Sequence, residues 1–405
     1  MTDIMDRIKL AAPELDESEL KAIEMDVWIE NGAIYLVAAY LEKKSYQKVI
    51  IVADDITYEI AGRTLEETID RVGIANQVTI IKPNSQGDVI ADEASIIQLV
   101  IDLQQFTPDI IIAAGSGTIH DISRYAAYTT GIPFVSVPTA PSVDGFNSKG
   151  APIILRGEKK TIQAIGPDAI FADLSILTQA PQAMVAAGFG DMIGKYTSLF
   201  DWKFGSIVAG EPYSVAVADI TRNALLSCVE QVEQIAERDE EGIRTLISSL
   251  IESGLAMLLF GQSHSASGAE HHLSHYWEME YIRLGKRQLL HGAKVGVACI
   301  QVSRLYHQLA AAPFAEELVA EATNKIQVER VTAIQAHWEE IQQEIKNIPD
   351  ADTLATLLQQ VGGPSVPSEI GIEEELLDRS LHEAHHVRMN RFTLLRARNE
   401  LTQIK

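Results

Sequence analysis

Histidine is the densest chemical signal in this chain. His264, His271, His272 and His275 fall within twelve residues, and His291 follows in Leu290-His291-Gly292. A helix over 270–282 sets His271 and His275 at i and i+4 on one face and turns His272 elsewhere. Upstream, Gly188-Phe189-Gly190-Asp191 offers a carboxylate. Asp191 is expected to cap a helix that begins near Met192. One carboxylate with two neutral imidazoles is a common open set for a divalent metal. Local spacing pairs His271 with His275 and leaves open whether His291 completes the set. A polar helix interface is the alternative use of the same histidines.

A second signal is a glycine turn. Residues 110–114 are apolar and run into Gly115-Ser116-Gly117-Thr118-Ile119-His120-Asp121. Such a turn lets backbone N–H groups approach phosphate oxygens, and the helix dipole favours the anion. His120 stands where a dinucleotide fingerprint would carry its third glycine. The next apolar run ends in Pro138-Thr139-Ala140-Pro141-Ser142-Val143-Asp144-Gly145-Phe146-Asn147-Ser148. That loop carries hydroxyls at Thr139, Ser142 and Ser148 and a carboxylate at Asp144. Open α/β sheets bind ligands at this carboxyl edge.

These groups need elements to hold them. Strands are expected at 49–53, 78–81, 110–114, 134–137 and 169–172, with helices at 64–72 and 91–103 between them. Continuous apolar strands alternating with helices indicate a parallel, doubly wound sheet. A hairpin is expected from 153–155 and 161–165, joined by 156–160. After about residue 173 the pattern turns helical, as in 243–259 and 331–345. The reading is a Rossmann-like α/β domain over 1–174 and an all-α domain over 175–405, with a cleft between them.

Composition narrows the function. The 405 residues carry 33 Lys and Arg against 56 Asp and Glu, a formal charge of -23. Such a chain repels a nucleic-acid backbone, so no nucleic-acid partner is expected. Cys228 and Cys299 are too few and too far apart for a disulfide framework or a cysteine zinc site. Both are expected in the core of a cytoplasmic protein. The first ten residues hold no apolar run, so neither an export signal nor a membrane span is expected. Trp28, Trp202 and Trp277 are read as packing anchors. His382, His385 and His386 are read as surface or interdomain residues.

Taken together, residues 115–121, 138–145, 187–191, 267–275 and 291–292 resemble the glycerol-1-phosphate dehydrogenases. These are a branch of the iron-containing alcohol dehydrogenase and dehydroquinate synthase-like superfamily, and the chain resembles their bacterial, AraM-like form. Order and spacing agree over most of the chain. The resemblance implies a dehydroquinate synthase-like fold and reversible NAD(P)H-linked reduction of dihydroxyacetone phosphate to sn-glycerol 1-phosphate. It implies cofactor contacts from Gly117, Thr118, Ile119, His120, Asp121, Thr139, Ala140, Pro141, Ser142 and Ser148, and from Asp54 at an earlier strand end. A carboxylate there suits ribose hydroxyls and disfavours a 2'-phosphate. Asp191, His271 and His291 become the metal ligands, so His291 replaces His275 as the third. Asp144, Asp191 and His275 meet the substrate, with Asp191 and His275 catalytic.

The resemblance also implies nickel first and zinc next, and a homodimer. Lys149, Lys195 and Arg287 are candidates for the substrate phosphate by proximity in sequence alone. His264 and Ser265 depart from the Arg/Pro-like pair expected there. Two related readings remain: a glycerol or polyol dehydrogenase without a phosphate pocket, and a dehydroquinate synthase-like lyase with no net turnover of NADH.

Overall fold

The structure is a computed structural model that describes residues 4–321 and 323–402. Its strands are β1 (Asp26–Glu30), β2 (Lys48–Ala53), β3 (Ala75–Ile80), β4 (Ile110–Gly115), β5 (Phe134–Pro138), β6 (Gly150–Leu155), β7 (Glu158–Gln163) and β8 (Ala169–Asp173). Six of them form a parallel sheet in the order β1-β8-β5-β4-β2-β3. Val49 to Ala53 are fully buried, as are Ile110 to Ala114. Alternate residues feed two cores. Ile51 and Ile112 face one layer, while Ile50, Val52 and Ile111 face the other. A strand buried on both faces has no polar face to show, which is why these runs read as continuously apolar.

The sheet gains one strand that the periodicity did not announce. β1 lies at the edge beside β8, and its five residues are all half-buried. Trp28 stacks on Phe171 with ring centroids 4.5 Å apart. Its charged ends, Asp26 and Glu30, hide the strand pattern. The hairpin turns earlier than expected, at Arg156 and Gly157, both with positive φ. That geometry fits a two-residue hairpin turn. The helix expected over 331–345 is broken at His337 into Lys325–Ala336 and Trp338–Ile345.

The chain beyond β8 is helical. Four of its helices matter most here: Gln182–Ile193, Lys195–Ala209, Ala269–Arg283 and His291–Ala311. Glu240–Phe260 is long and apolar enough to cross a membrane, but 83% of its 18-residue apolar window is buried inside the structure. It is the centre of the helical core, packed by Ile243, Leu246, Ile247 and Leu250. The N-terminal Ile4, Ile8 and Ile23 belong to this same core rather than to the sheet. Cys228 and Cys299 are both buried and free.

Two helices cross where neither has room for a side chain. A Cβ on Gly292 would lie 1.8 Å from the Ala187 carbonyl oxygen. One on Gly190 would lie 2.4 Å from the Gly292 oxygen. The backbones of Gln182–Ile193 and His291–Ala311 therefore touch, one residue from both Asp191 and His291. Gly292→Ala is expected to cost about 1–3 kcal/mol by forcing these helices apart. Denaturant unfolding checks this; a variant as stable as the native chain would show that the crossing is loose.

Candidate active site

A cleft of about 380 Å³ opens between the carboxyl edge of the sheet and the helical half. Its sheet side is built by the turn after β4 and the loop after β5. Ser116, Gly117 and Thr118 line it, as do Ser142, Asp144 and Ser148. Gly117–Thr130 is a helix whose cap residue, Ser116, makes no side-chain cap bond. First-turn N–H groups without a cap suit a phosphate, so the cradle fits the pyrophosphate of a dinucleotide.

Asp191, His271 and His291 converge on the opposite wall. Each offers one ligand atom, and these atoms lie within 4.8 Å of one another. His271 Nε2 is 3.7 Å from Asp191 Oδ1. The His271 and His291 ring centroids are 5.2 Å apart, and that of His275 lies slightly further off, 6.1 and 6.0 Å from the two. The third atom thus comes from the start of the next helix rather than from the i+4 position. Asp191 caps no helix: it sits inside Gln182–Ile193, near its C-terminal end. The helix begins not near Met192 but at Gln182, and runs through Gly188 and Gly190 because close packing there leaves no room for side chains.

Neighbours fix the orientation and charge of the set. Glu270 is fully buried and accepts hydrogen bonds from His271 Nδ1 at 2.7 Å, the Gly268 N–H at 2.7 Å and the Thr197 hydroxyl at 2.7 Å. With Nδ1 donating, His271 presents the Nε2 lone pair to the cluster. Burial pulls the pKa of His291 well below its usual value, helped by Lys159 and Lys294. His275 is lowered in the same way by burial, Lys159 and Arg388. Both are neutral at pH 7, as ligation requires of an imidazole. An oxygen and two nitrogens in this state fit a divalent ion.

Asp191 has no exposed surface, and its charge needs a partner. Lys195 Nζ supplies it, 3.0 Å from Asp191 Oδ1 and 2.9 Å from Asp144 Oδ2. The Asp144 N–H donates to Asp191 Oδ2 at 2.9 Å, and Ser253 donates to Asp144 Oδ2 at 2.7 Å. Burial alone would raise Asp191, but the Lys195 ammonium outweighs it and holds the carboxylate low. Asp144 is raised by burial and by the Asp191 charge, against Lys195. Lys195 is thus committed to two carboxylates and does not face an anion site, contrary to the proximity argument.

The remaining expected residues divide. Asp121 lines the cleft and pairs with buried Arg124 at 2.8 Å. Ile119 and Ala140 are buried in apolar cores. Thr139 is tied back through its N–H to the Gly115 carbonyl, and the Pro141 carbonyl packs against Gly188. His120 does not reach the cleft: its Nδ1 meets the Ser116 carbonyl at 2.8 Å and its Nε2 the Ser136 hydroxyl at 2.6 Å. Asp54 Oδ1 accepts the Thr57 N–H at 2.7 Å as a helix cap and does not line the cleft. Arg287 is exposed and bound to Asp88, whereas Lys149 lines the cleft from an exposed position.

His264 packs against Phe260 and Trp202, outside the metal set. Trp202 and Trp277 are buried anchors whose indole N–H groups reach Pro212 and Ser380. His382 and His386 are exposed, and His385 is buried. The sequence reading missed Glu270, Lys159, Glu278, Lys294 and Arg388. Glu270 had a signal in its position next to a ligand histidine; the others meet through long-range packing.

Two expectations follow from this geometry. Glu270→Gln keeps the shape but removes the charge behind His271. Metal affinity is expected to fall roughly ten- to hundredfold, read by metal titration of the stripped protein. His120 is held neutral by burial, with its pKa lowered to about 3. The unfolded chain takes up this proton near pH 6.5. Stability from this group is therefore present above pH 6.5 and lost as pH falls toward 3. The acid-side slope of stability should be shallower in His120→Gln than in the native chain.

Comparison with known proteins places the chain in a family. Residues 28–181 match the model of the iron-containing alcohol dehydrogenases. The chain is 48% identical over 378 residues to a glycerol-1-phosphate dehydrogenase, NAD(P)+, of Geobacillus stearothermophilus, covering 92% of each chain. It is 44% identical over 408 residues to the one of Halalkalibacterium halodurans, covering 99% of each. Among solved structures, a probable glycerol dehydrogenase from Sinorhizobium meliloti shares the fold with a TM-score of 0.65 at 16% identity, over 94% of this chain and 92% of the other. The chain belongs to the glycerol-1-phosphate dehydrogenases of the iron-containing alcohol dehydrogenase family.

Proposed function

We propose that this protein reduces dihydroxyacetone phosphate reversibly to sn-glycerol 1-phosphate with NADH or NADPH. The observation that carries the proposal is the convergence of Asp191, His271 and His291 beside an uncapped, glycine-opened helix start. Asp191, His271 and His291 would hold the divalent ion, nickel before zinc. The bound ion would supply Lewis acidity to the ketone while the reduced nicotinamide supplies hydride.

The chain's own residues do the rest. Gly117 and Thr118 would bind the pyrophosphate through backbone N–H groups, with Ser142 and Ser148 along the same wall. His275 lines the cleft beside the ligand histidines and is held neutral. It would face the substrate, hydrogen-bond the reacting oxygen through a ring nitrogen and relay its proton. Asp144 has Oδ2 committed to Lys195 and Ser253. That leaves Oδ1 to orient a substrate hydroxyl. Asp191 would serve beside them as ligand and substrate neighbour.

We divide the chain at 174/175, with the cleft at the seam and the N-terminal residues Ile4, Ile8 and Ile23 packed across it into the helical core. The free buried cysteines support a reducing, cytoplasmic compartment. A homodimer rests on the family resemblance.

The direct test is NADH oxidation with dihydroxyacetone phosphate, using metal-stripped protein with and without added nickel or zinc. Metal-dependent turnover is expected, with a product that glycerol-3-phosphate dehydrogenase does not accept. His271→Ala and His291→Ala should each remove activity while leaving a cooperative melt. Activity on glycerol with NAD alone would move the protein to the polyol dehydrogenases.

A further inference from the structure

Three cations in the cleft have no task in the reaction as described. Lys159 stands on β7 of the hairpin, and Lys294 lies one turn beyond His291. Both bind Glu278 Oε2 at 2.8 Å. Arg388 comes from the far tail and lines the same cleft. Its Nη1 donates to the hydroxyls of Ser263 at 3.0 Å and Ser267 at 3.1 Å. Among the described residues, no carboxylate pairs with it.

Burial and Arg391 pull the Arg388 pKa down to about 10, and burial lowers Lys294 despite Glu278. These charges are held at a cost, as expected where a ligand supplies the missing counter-charge.

The charge count is specific. Two lysines against one glutamate leave one positive charge, and Arg388 adds a second. A phosphate monoester carries about -1.5 to -2 at pH 7. The cations also surround the reacting end. Lys159, Lys294 and Arg388 line the same cleft as His271, His275 and His291. They are separate from the helix start at Gly117 that would hold the cofactor. In a chain of formal charge -23, such a cluster is a local exception.

We infer that Lys159, Lys294 and Arg388 form the subsite for the substrate's phosphoryl group and set the preference for a phosphorylated triose over a free polyol. This rests on the dehydrogenase reading above. Arg388 grips through a guanidinium fork, and the lysines act as point charges. Lys159 belongs to the sheet half and the other two to the helical half, so the phosphate would tie the walls of the cleft together.

The test uses metal-loaded enzyme saturated with NADH. In the native enzyme, inorganic phosphate should compete with dihydroxyacetone phosphate and not with NADH. Arg388→Met and Lys294→Met should each raise the KM for dihydroxyacetone phosphate roughly ten- to hundredfold. The inhibition constant for phosphate should weaken alongside. The preference for dihydroxyacetone phosphate over dihydroxyacetone should fall in proportion, and Arg388→Lys should lose less than Arg388→Met.

Native KM and phosphate inhibition in both methionine variants would overturn the subsite, as would phosphate competing only with NADH. Calorimetry separates this from the reaction itself. The native chain should bind one inorganic phosphate that both variants lose, even if dihydroxyacetone phosphate proves not to be the substrate. Unchanged phosphate binding in the variants overturns the subsite whatever the reaction.

Discussion

The structure depends on burying the Asp191 carboxylate without leaving its charge alone. An isolated buried carboxylate would protonate rather than ligate. Lys195 prevents this from the start of the following helix, one turn along. The same ammonium holds Asp144, so the loop after β5 is pinned to the helical half at the floor of the cleft. One lysine thus fixes the ionisation of a candidate ligand and the position of the loop after β5. Breaking a pair of this kind costs far more than replacing it, because the partner charge stays behind.

Geometry imposes a second constraint on the same helices. Asp191 and His291 meet because Gly190 and Gly292 let their backbones touch. His271 arrives from a third helix, turned by Glu270, which is anchored in turn by Thr197 and the Gly268 N–H. Each candidate ligand is therefore held by packing or by a second hydrogen bond. Metal sites gain their precision from this outer layer.

Much of this was legible in the sequence, for identifiable reasons. The strands at 49–53 and 110–114 stood out because burial on both faces demands unbroken apolar runs. Gly115 to Gly117 stood out because a strand, a glycine turn and a helix start are local in sequence. Local spacing could only pair His271 with His275; it took the family resemblance to bring in His291, which sits beyond the turn at 284–290. β1 escaped because an edge strand with charged ends carries no alternation. Arg388 escaped for a deeper reason. The short helix Ala384–Arg388 returns over the His271 helix, and no local pattern encodes that return. The break at His337 was likewise invisible to a periodicity that runs through it.

The central claim is that one divalent ion sits between Asp191, His271 and His291. A crystal of the nickel-loaded protein, measured on both sides of the nickel absorption edge, tests it most directly. The account predicts a single anomalous peak at roughly 2.0–2.2 Å from one Asp191 oxygen and one nitrogen of each histidine. A peak held by His275 in place of His291, or one lying in the His382–His386 segment with the triad empty, would contradict it.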